Sequence, residues 1–263
     1  MKRRDRQAYV LILPSLFTTG NLFCGFFSII RSFNQDFEKA ALAILVAGIF
    51  DVLDGRIARL TGSTSRFGVE YDSISDVVSF GIAPAVLAHV WLLYSAGNLG
   101  WAAAFFFAAC GALRLARFNS MVSDESPKSY FVGLPIPAAA YLVASLAVLS
   151  QAWDLQFGYK PMVVLMFSLG LLMVSSVRYR SLKELDLNRR RQFFLLPVLV
   201  AALALIAAEP ALTLFLVFAY YAAWGPVREL LSFVGRRLGT ARVTAQPRGE
   251  LVDPQKQEVN HDA

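Results

Sequence analysis

Eight residues between positions 51 and 76 have the types and spacing to do chemistry together. They read Asp51-x2-Asp54-Gly55-x2-Ala58-Arg59-x8-Gly68-x3-Asp72-x3-Asp76. Asp51 and Asp54 are three residues apart and Asp72 and Asp76 four, so on helices each pair shares one face. The residues around them are largely apolar. A charged side chain at the centre of a membrane helix costs roughly 2.5–3.5 kcal/mol on insertion scales, so something must offset four carboxylates. Divalent cations in a watery cavity are the simplest offset, because hard cations such as Mg2+ prefer oxygen ligands. If the two pairs face each other, Asp51, Asp54, Asp72 and Asp76 form one cluster able to hold two divalent ions, Mg2+ or Mn2+. Such a cluster aligns and neutralises phosphoryl groups. Gly55 and Ala58 lie about one turn from an aspartate and let a ligand approach the backbone. Arg59 supplies a positive charge for phosphate. Gly68, four residues before Asp72, keeps the entrance open.

The elements that must position these residues are membrane helices. The chain has 263 residues, 56% hydrophobic and only 17% charged, with 21 Phe; its mean hydropathy is +0.51. A soluble domain of this length carries more charge. Apolar stretches recur at close to bilayer-crossing length. They predict an all-α fold, a polytopic membrane bundle of about eight helices near 9–31, 39–60, 71–95, 99–117, 131–151, 160–177, 193–208 and 211–233. The polar run Thr61-Gly62-Ser63-Thr64-Ser65 joins the second and third, which makes them antiparallel neighbours.

Of the chain's 25 Lys and Arg, all but Arg31, Lys39 and Lys160 fall at the start, the 2–3, 4–5 and 6–7 connections and the tail. That bias predicts both termini, and the aspartates, on the cytoplasmic side. The net charge of +6 then reads as anchoring to anionic lipid. No nucleic-acid-binding pattern accompanies it. Met1-Lys2-Arg3-Arg4 could open a signal peptide, but no small-residue cleavage site follows, and a retained first helix is expected. Cys24 and Cys110 read as free thiols in apolar helices. Residues 1–238 read as one membrane domain, and 239–263, polar with Pro247, Gly249 and Pro254, as a disordered tail.

With all eight positions met, the pattern resembles the CDP-alcohol phosphotransferase family. The resemblance implies transfer of a phosphatidyl-type group from a CDP-linked lipid to an alcohol, with release of CMP. It also implies a two-metal site in which Asp51, Asp54, Asp72 and Asp76 are ligands and Asp76 is also the general base. Gly55, Ala58, Gly68 and Arg59 would shape the CDP-lipid site. Further words are similar to the bacterial, membrane-integral branch whose acceptor is L-serine. They are Leu13-Pro14-Ser15 with Asn21-Leu22-Phe23-Cys24-Gly25, Arg114-Leu115-Ala116-Arg117-Phe118-Asn119, Gly133-Leu134-Pro135-Ile136-Pro137-Ala138 and Ser176-Val177-Arg178-Tyr179-Arg180-Ser181-Leu182-Lys183. The substrates implied are CDP-diacylglycerol and L-serine, the location the bacterial inner membrane, and a homodimer is compatible.

Serine brings a carboxylate that an Arg fork pairs best. Arg114 and Arg117, with Asn119 beside them, and Arg178 are the candidates for that role. Each could instead anchor the helix ends to headgroups. Asn21, costly in lipid, is expected to face the nucleotide. Other acceptors, glycerol phosphate or choline, remain alternatives within the family. A divalent-cation transporter is the alternative of another class, but it leaves Gly55, Ala58 and Arg59 without a purpose.

Overall fold

The computed structural model describes residues 3–62, 65–121, 130–180, 205 and 207–243. On these residues the architecture is helical, with bounds that differ from the predicted ones at several ends. α1 (Arg3–Phe33) and α2 (Phe37–Thr61) form a long pair. Asp36 caps α2 by accepting from Lys39 N, and Gly62, at φ 63°, closes its end with an N–H to the carbonyls of Ala58 and Arg59. A left-handed glycine is the usual way to satisfy those last carbonyls. Asp36 also pairs with Lys39 Nζ at 2.9 Å and Arg31 at 3.6 Å. The Lys39 hydrogen bond holds the Asp36 carboxyl below the usual carboxylate range. Two of the three basic residues outside the basic segments are thus neutralised locally.

The third helix starts earlier than the apolar pattern predicts, at Arg66. Ser65 is its cap, accepting from Gly68 N at 3.0 Å, so a run that reads as loop also contains a helix start. From there one rod of three parts runs to Trp91: α3 (Arg66–Asp76), a π-helical turn (Val77–Ile82) and α4 (Ala83–Trp91). Pro84 lies at the start of α4. It has no N–H to offer the preceding turn, and a wider turn accommodates that loss. A 3-10 turn (Leu93–Ala96) leads into α5 (Asn98–Met121).

α6 (Ile136–Ala152) begins after Pro135, with Pro137 in its first turn where a missing N–H costs nothing. The predicted start at 131 is corrected. Residues Tyr130–Val132 (β1) instead pair antiparallel with Arg178–Arg180 (β2), Tyr130 opposite Arg180 and Val132 opposite Arg178. Gly133, at φ 80°, turns the chain out of β1 and donates to Val177 O at 2.8 Å. This short ribbon is an addition to the helical fold that the hydropathy pattern did not contain. α7 (Tyr159–Val174) precedes β2, and α8 (Pro210–Val243) closes the described chain. The predicted helix 193–208 lies outside the described residues except at 205, 207 and 208. Of the predicted tail, 244–263 lies outside them and 239–243 belongs to α8.

The first compact unit ends at Pro226; a second begins at Val227. In the first, α2 packs on α1 and α6, and α5 on α7. Ala40, Ala41 and Ala47 on α2 and Ala139, Ala140 and Ala144 on α6 belong to one buried core, and Gly48 on α2 is buried as well. Small residues let helix backbones approach closely where lipid offers no hydrophobic drive. Phe80, Phe107, Leu134 and Met166 fill the remaining space without exposure. Large apolar side chains face outward instead, among them Phe23, Phe26, Phe105, Leu113 and Leu171. Among the described residues, Arg66–Trp91, Asn98–Ser120 and Pro210–Glu229 are long and apolar enough to cross a membrane. The protein is an integral membrane protein of helical architecture. Cys24 and Cys110 are both buried free thiols.

Candidate active site

α1 packs against both α2 and α3 and holds the two motif helices to one side of itself. Its sequence explains how. Ser15, Thr18, Asn21, Gly25, Ser28 and Ser32 recur at three- and four-residue steps on an otherwise apolar helix, so they form one stripe. That stripe meets the aspartates. Thr18 Oγ1 donates to Asp54 Oδ2 at 3.0 Å, and Asn21 Nδ2 donates to Asp76 Oδ1 at 3.1 Å. The motif rod answers with hydroxyls: Ser75 Oγ donates to Thr18 O at 3.1 Å and Ser79 Oγ to Asn21 O at 2.9 Å. A Cβ on Gly25 would lie 2.7 Å from Ser79 Cα, so this crossing requires glycine. The rod and α1 are therefore tied at two levels, on either side of Asp76.

Asp51, Asp72 and Asp76 each offer a carboxylate oxygen, and those atoms lie within 4.8 Å of one another. Like charges this close repel strongly unless a cation or protons lie between them. Asp72 Oδ1 is buried without a hydrogen-bond partner. An orphaned carboxylate oxygen inside an all-oxygen cluster fits a hard divalent cation. Asp54 is buried beside this trio but is not among the three; one of its oxygens is taken by Thr18.

A cavity opens next to the trio. From α1 it is lined by Pro14, Ser15 and Thr18, from α2 by Asp54, Gly55, Ala58 and Arg59, and from the α3 side by Ser65, Gly68, Val69 and Asp72. Asp72 belongs to both cavity and trio. Four of the five residues expected around a CDP-lipid thus line one space: Gly55, Ala58, Arg59 and Gly68. The fifth, Asn21, is fully buried at Asp76 and is not in the cavity lining. Arg59 folds back over Gly55, whose added Cβ would be 3.7 Å from Arg59 Nη1. An added methyl would fit there in ordinary contact, so the guanidinium itself does not require glycine at this position.

Of the candidate acceptor residues, Arg114 on α5 interacts electrostatically with Asp76 and with Tyr221 of α8. Its Nε is buried without a hydrogen-bond partner. Asn119 Nδ2 donates to Ser73 Oγ at 2.8 Å, which ties the end of α5 to the residue after Asp72. Arg117 is exposed. Arg178 lies in β2, and its side chain is outside the described residues.

Sequence reasoning missed Thr18, Ser65 and Tyr141. Thr18 was legible as a member of the polar stripe on α1. Ser65 was legible as a cap three residues before Gly68. Tyr141, on apolar α6, gave no signal in the sequence, and only the fold sets its phenol against Gly48, one turn before Asp51.

The comparisons with known proteins agree with this geometry. The profile of the CDP-alcohol phosphatidyltransferase family matches residues 11–180, a span that contains every hydrogen bond described above around the aspartates. The chain is 37% identical over 225 residues to the CDP-diacylglycerol–serine O-phosphatidyltransferase of Helicobacter pylori, covering 85% of this chain and 93% of that one. It is 32% identical over 235 residues to the enzyme of that name from Mycobacterium tuberculosis, covering 84% and 79%. It is 34% identical over 174 residues to that of Bacillus subtilis, covering 65% and 92%. Motif, site geometry and relatives converge: the chain belongs to the CDP-alcohol phosphatidyltransferase family.

Proposed function

We propose that this chain is a CDP-diacylglycerol–serine O-phosphatidyltransferase, which moves the phosphatidyl group of CDP-diacylglycerol to the hydroxyl of L-serine. The products are phosphatidylserine and CMP. The observation that carries this reading is the adjacency of the Asp51–Asp72–Asp76 trio to a cavity floored by Gly55, Ala58 and Gly68, with the half-buried Arg114 within electrostatic reach of Asp76.

Each group has a task. Gly55, Ala58 and Gly68 let the CDP moiety lie against helix backbone, and Arg59 pairs with its phosphates. The acyl chains stay in lipid. Asp51, Asp54, Asp72 and Asp76 would hold two divalent ions, Mg2+ or Mn2+. Bound there, such ions supply charge neutralisation for the diphosphate and the departing CMP. Asp76 takes the proton of the serine hydroxyl, a weak nucleophile at neutral pH without a positioned base. The serine oxygen bonds to the lipid-linked phosphorus while the bond from that phosphorus to the CMP oxygen breaks. Asn21 orients Asp76 for this step, and Arg114 receives the serine carboxylate. Arg117, Asn119 and Arg178 complete the acceptor side.

The membrane arrangement follows the same reading. About eight helices cross the inner membrane of a bacterium, with both termini and the aspartates on the cytoplasmic face, as the distribution of basic residues requires. A homodimer is compatible with the apolar outer surface.

Arg114 would suit the phosphate of glycerol 3-phosphate as well as a carboxylate, so that acceptor is the second reading. Purified protein given CDP-diacylglycerol with radiolabelled serine, glycerol 3-phosphate or choline separates them. Lipid labelled from serine, with equimolar CMP, is the expected result.

A further inference from the structure

The rod from Arg66 to Trp91 and α5 form a helical hairpin, closed by the 3-10 turn Leu93–Ala96. So short a connection makes the two arms antiparallel neighbours. The closed end is tight: a Cβ on Gly100 would collide with the carbonyl of Leu93. The middle is packed, with α5 lying on α4 and on the π turn. The open end carries Asp72 and Asp76 on one arm and Arg114, Arg117 and Asn119 on the other.

At that open end α5 buries little. Ala116, Arg117, Phe118 and Ser120 are exposed, and Asn119 between them is half-buried. Asn119 Nδ2 donates to Ser73 Oγ at 2.8 Å, and Ser73 Oγ donates to Val69 O at 2.9 Å. The hydroxyl is thus engaged both as acceptor and as donor. Val69 and Asp72 line the nucleotide cavity, so the amide grips the cavity wall from its outer side. The aspartates are tied elsewhere, to α1, through Thr18, Asn21, Ser75 and Ser79. Losing the Asn119 bond would leave those ties standing and release the end of α5.

We infer that Asn119 is a positioning residue for the acceptor: acting through Ser73, it fixes the end of α5, with Arg114 and Arg117, against the helix that bears Asp72 and Asp76. The inference rests on the reading of this chain as a serine phosphatidyltransferase with its acceptor on the α5 side. The bond then sets where the serine carboxylate is held relative to the group that takes the hydroxyl proton. A misplacement of about 1 Å in such an arrangement can cost on the order of 100-fold in rate.

The test is steady-state transfer by the purified full chain in vesicles containing CDP-diacylglycerol, with label from serine and CMP both counted and Tm measured in parallel. Asn119→Ala, Ser73→Ala, the pair of them and Ser73→Thr are compared with wild type. Each Ala variant should lower kcat/KM for serine by about 10–100-fold, while the KM for CDP-diacylglycerol keeps its wild-type value. The pair should lose no more than the worse single variant, because both remove one interaction. Ser73→Thr keeps the hydroxyl and should recover most of the loss. A loss in Asn119→Ala without one in Ser73→Ala would put the amide on the substrate itself and overturn the inference. Wild-type kinetics in both Ala variants overturns it, as does a fall in Tm with the two KM values rising alike, the mark of a merely structural bond. A wild type that passes no label from serine to lipid fails the underlying reading, and this inference with it.

Discussion

Asn21 donates its side-chain N–H to Asp76 across 3.1 Å, from the middle of an apolar helix to the last aspartate of the motif. Both residues are buried. A carboxylate held this way presents its other oxygen in a fixed direction. Asn21→Ala should therefore lower kcat by about 10–100-fold and change the KM for CDP-diacylglycerol far less. Asn21→Asp should do worse, because it replaces a donor with a further like charge. Steady-state CMP release checks both; equal losses in kcat and lipid KM would place Asn21 at the nucleotide instead.

The roles proposed for the aspartates are distinguishable by substitution. Asp51→Ala, Asp54→Ala and Asp72→Ala should each abolish turnover, and exhaustive chelation of the wild type should do the same. Asp76→Asn keeps the size and the amide neighbour but loses the base. It should retain CDP-diacylglycerol binding while CMP release falls to background. Turnover near the wild-type rate in Asp76→Asn would remove Asp76 from the role of base.

Gly25 is the tightest point between α1 and the π turn. In Gly25→Ala the new methyl meets Ser79 Cα and Cβ at 2.7 and 2.9 Å. Forcing such an overpacked contact costs typically about 1–3 kcal/mol. Tm in detergent should fall, and turnover should fall with it, because Ser79 anchors the strand of contacts that sets Asn21 against Asp76. An unchanged Tm would show that the crossing is looser than its packing indicates.

Arg114→Ala should raise the serine KM by roughly 10–100-fold, the loss of a charge-assisted pair contributing about 1.5–3 kcal/mol. Arg114→Lys should recover part of it, since an ammonium cannot form the planar fork. Arg117→Ala, at an exposed position, should have the smaller effect. Serinol, which lacks the carboxylate, should compete equally well in all of them. A rise confined to the KM for CDP-diacylglycerol would assign Arg114 to the phosphates.

The motif was readable because its chemistry is improbable in its surroundings. Carboxylates at three- and four-residue spacing inside apolar sequence demand a cation, and the structure gathers Asp51, Asp72 and Asp76 as that demand requires. The helices were readable from apolar run length. The polar stripe on α1 was hidden by averaging: Thr18 and Asn21 barely alter the hydropathy of a 31-residue helix, yet their placement sets two of the four aspartates. Ser65 was read as loop because capping lies between loop and helix. The π turn has no period of its own in the sequence; Pro84 is its only trace. Tyr141 was illegible for a different reason. An aromatic residue in apolar α6 looks like core, and half of it is core. Its hydroxyl rests against Gly48, on a helix distant in sequence.

The identity of the acceptor decides the proposed reaction most directly. Purified protein in vesicles containing CDP-diacylglycerol, with Mg2+ or Mn2+, is given radiolabelled L-serine, glycerol 3-phosphate or choline in separate reactions, and lipid label and CMP are counted. The account predicts lipid label from serine alone, matched mole for mole by CMP and lost in Asp72→Ala. Label from glycerol 3-phosphate or choline in place of serine, or serine incorporation without CMP, would contradict it.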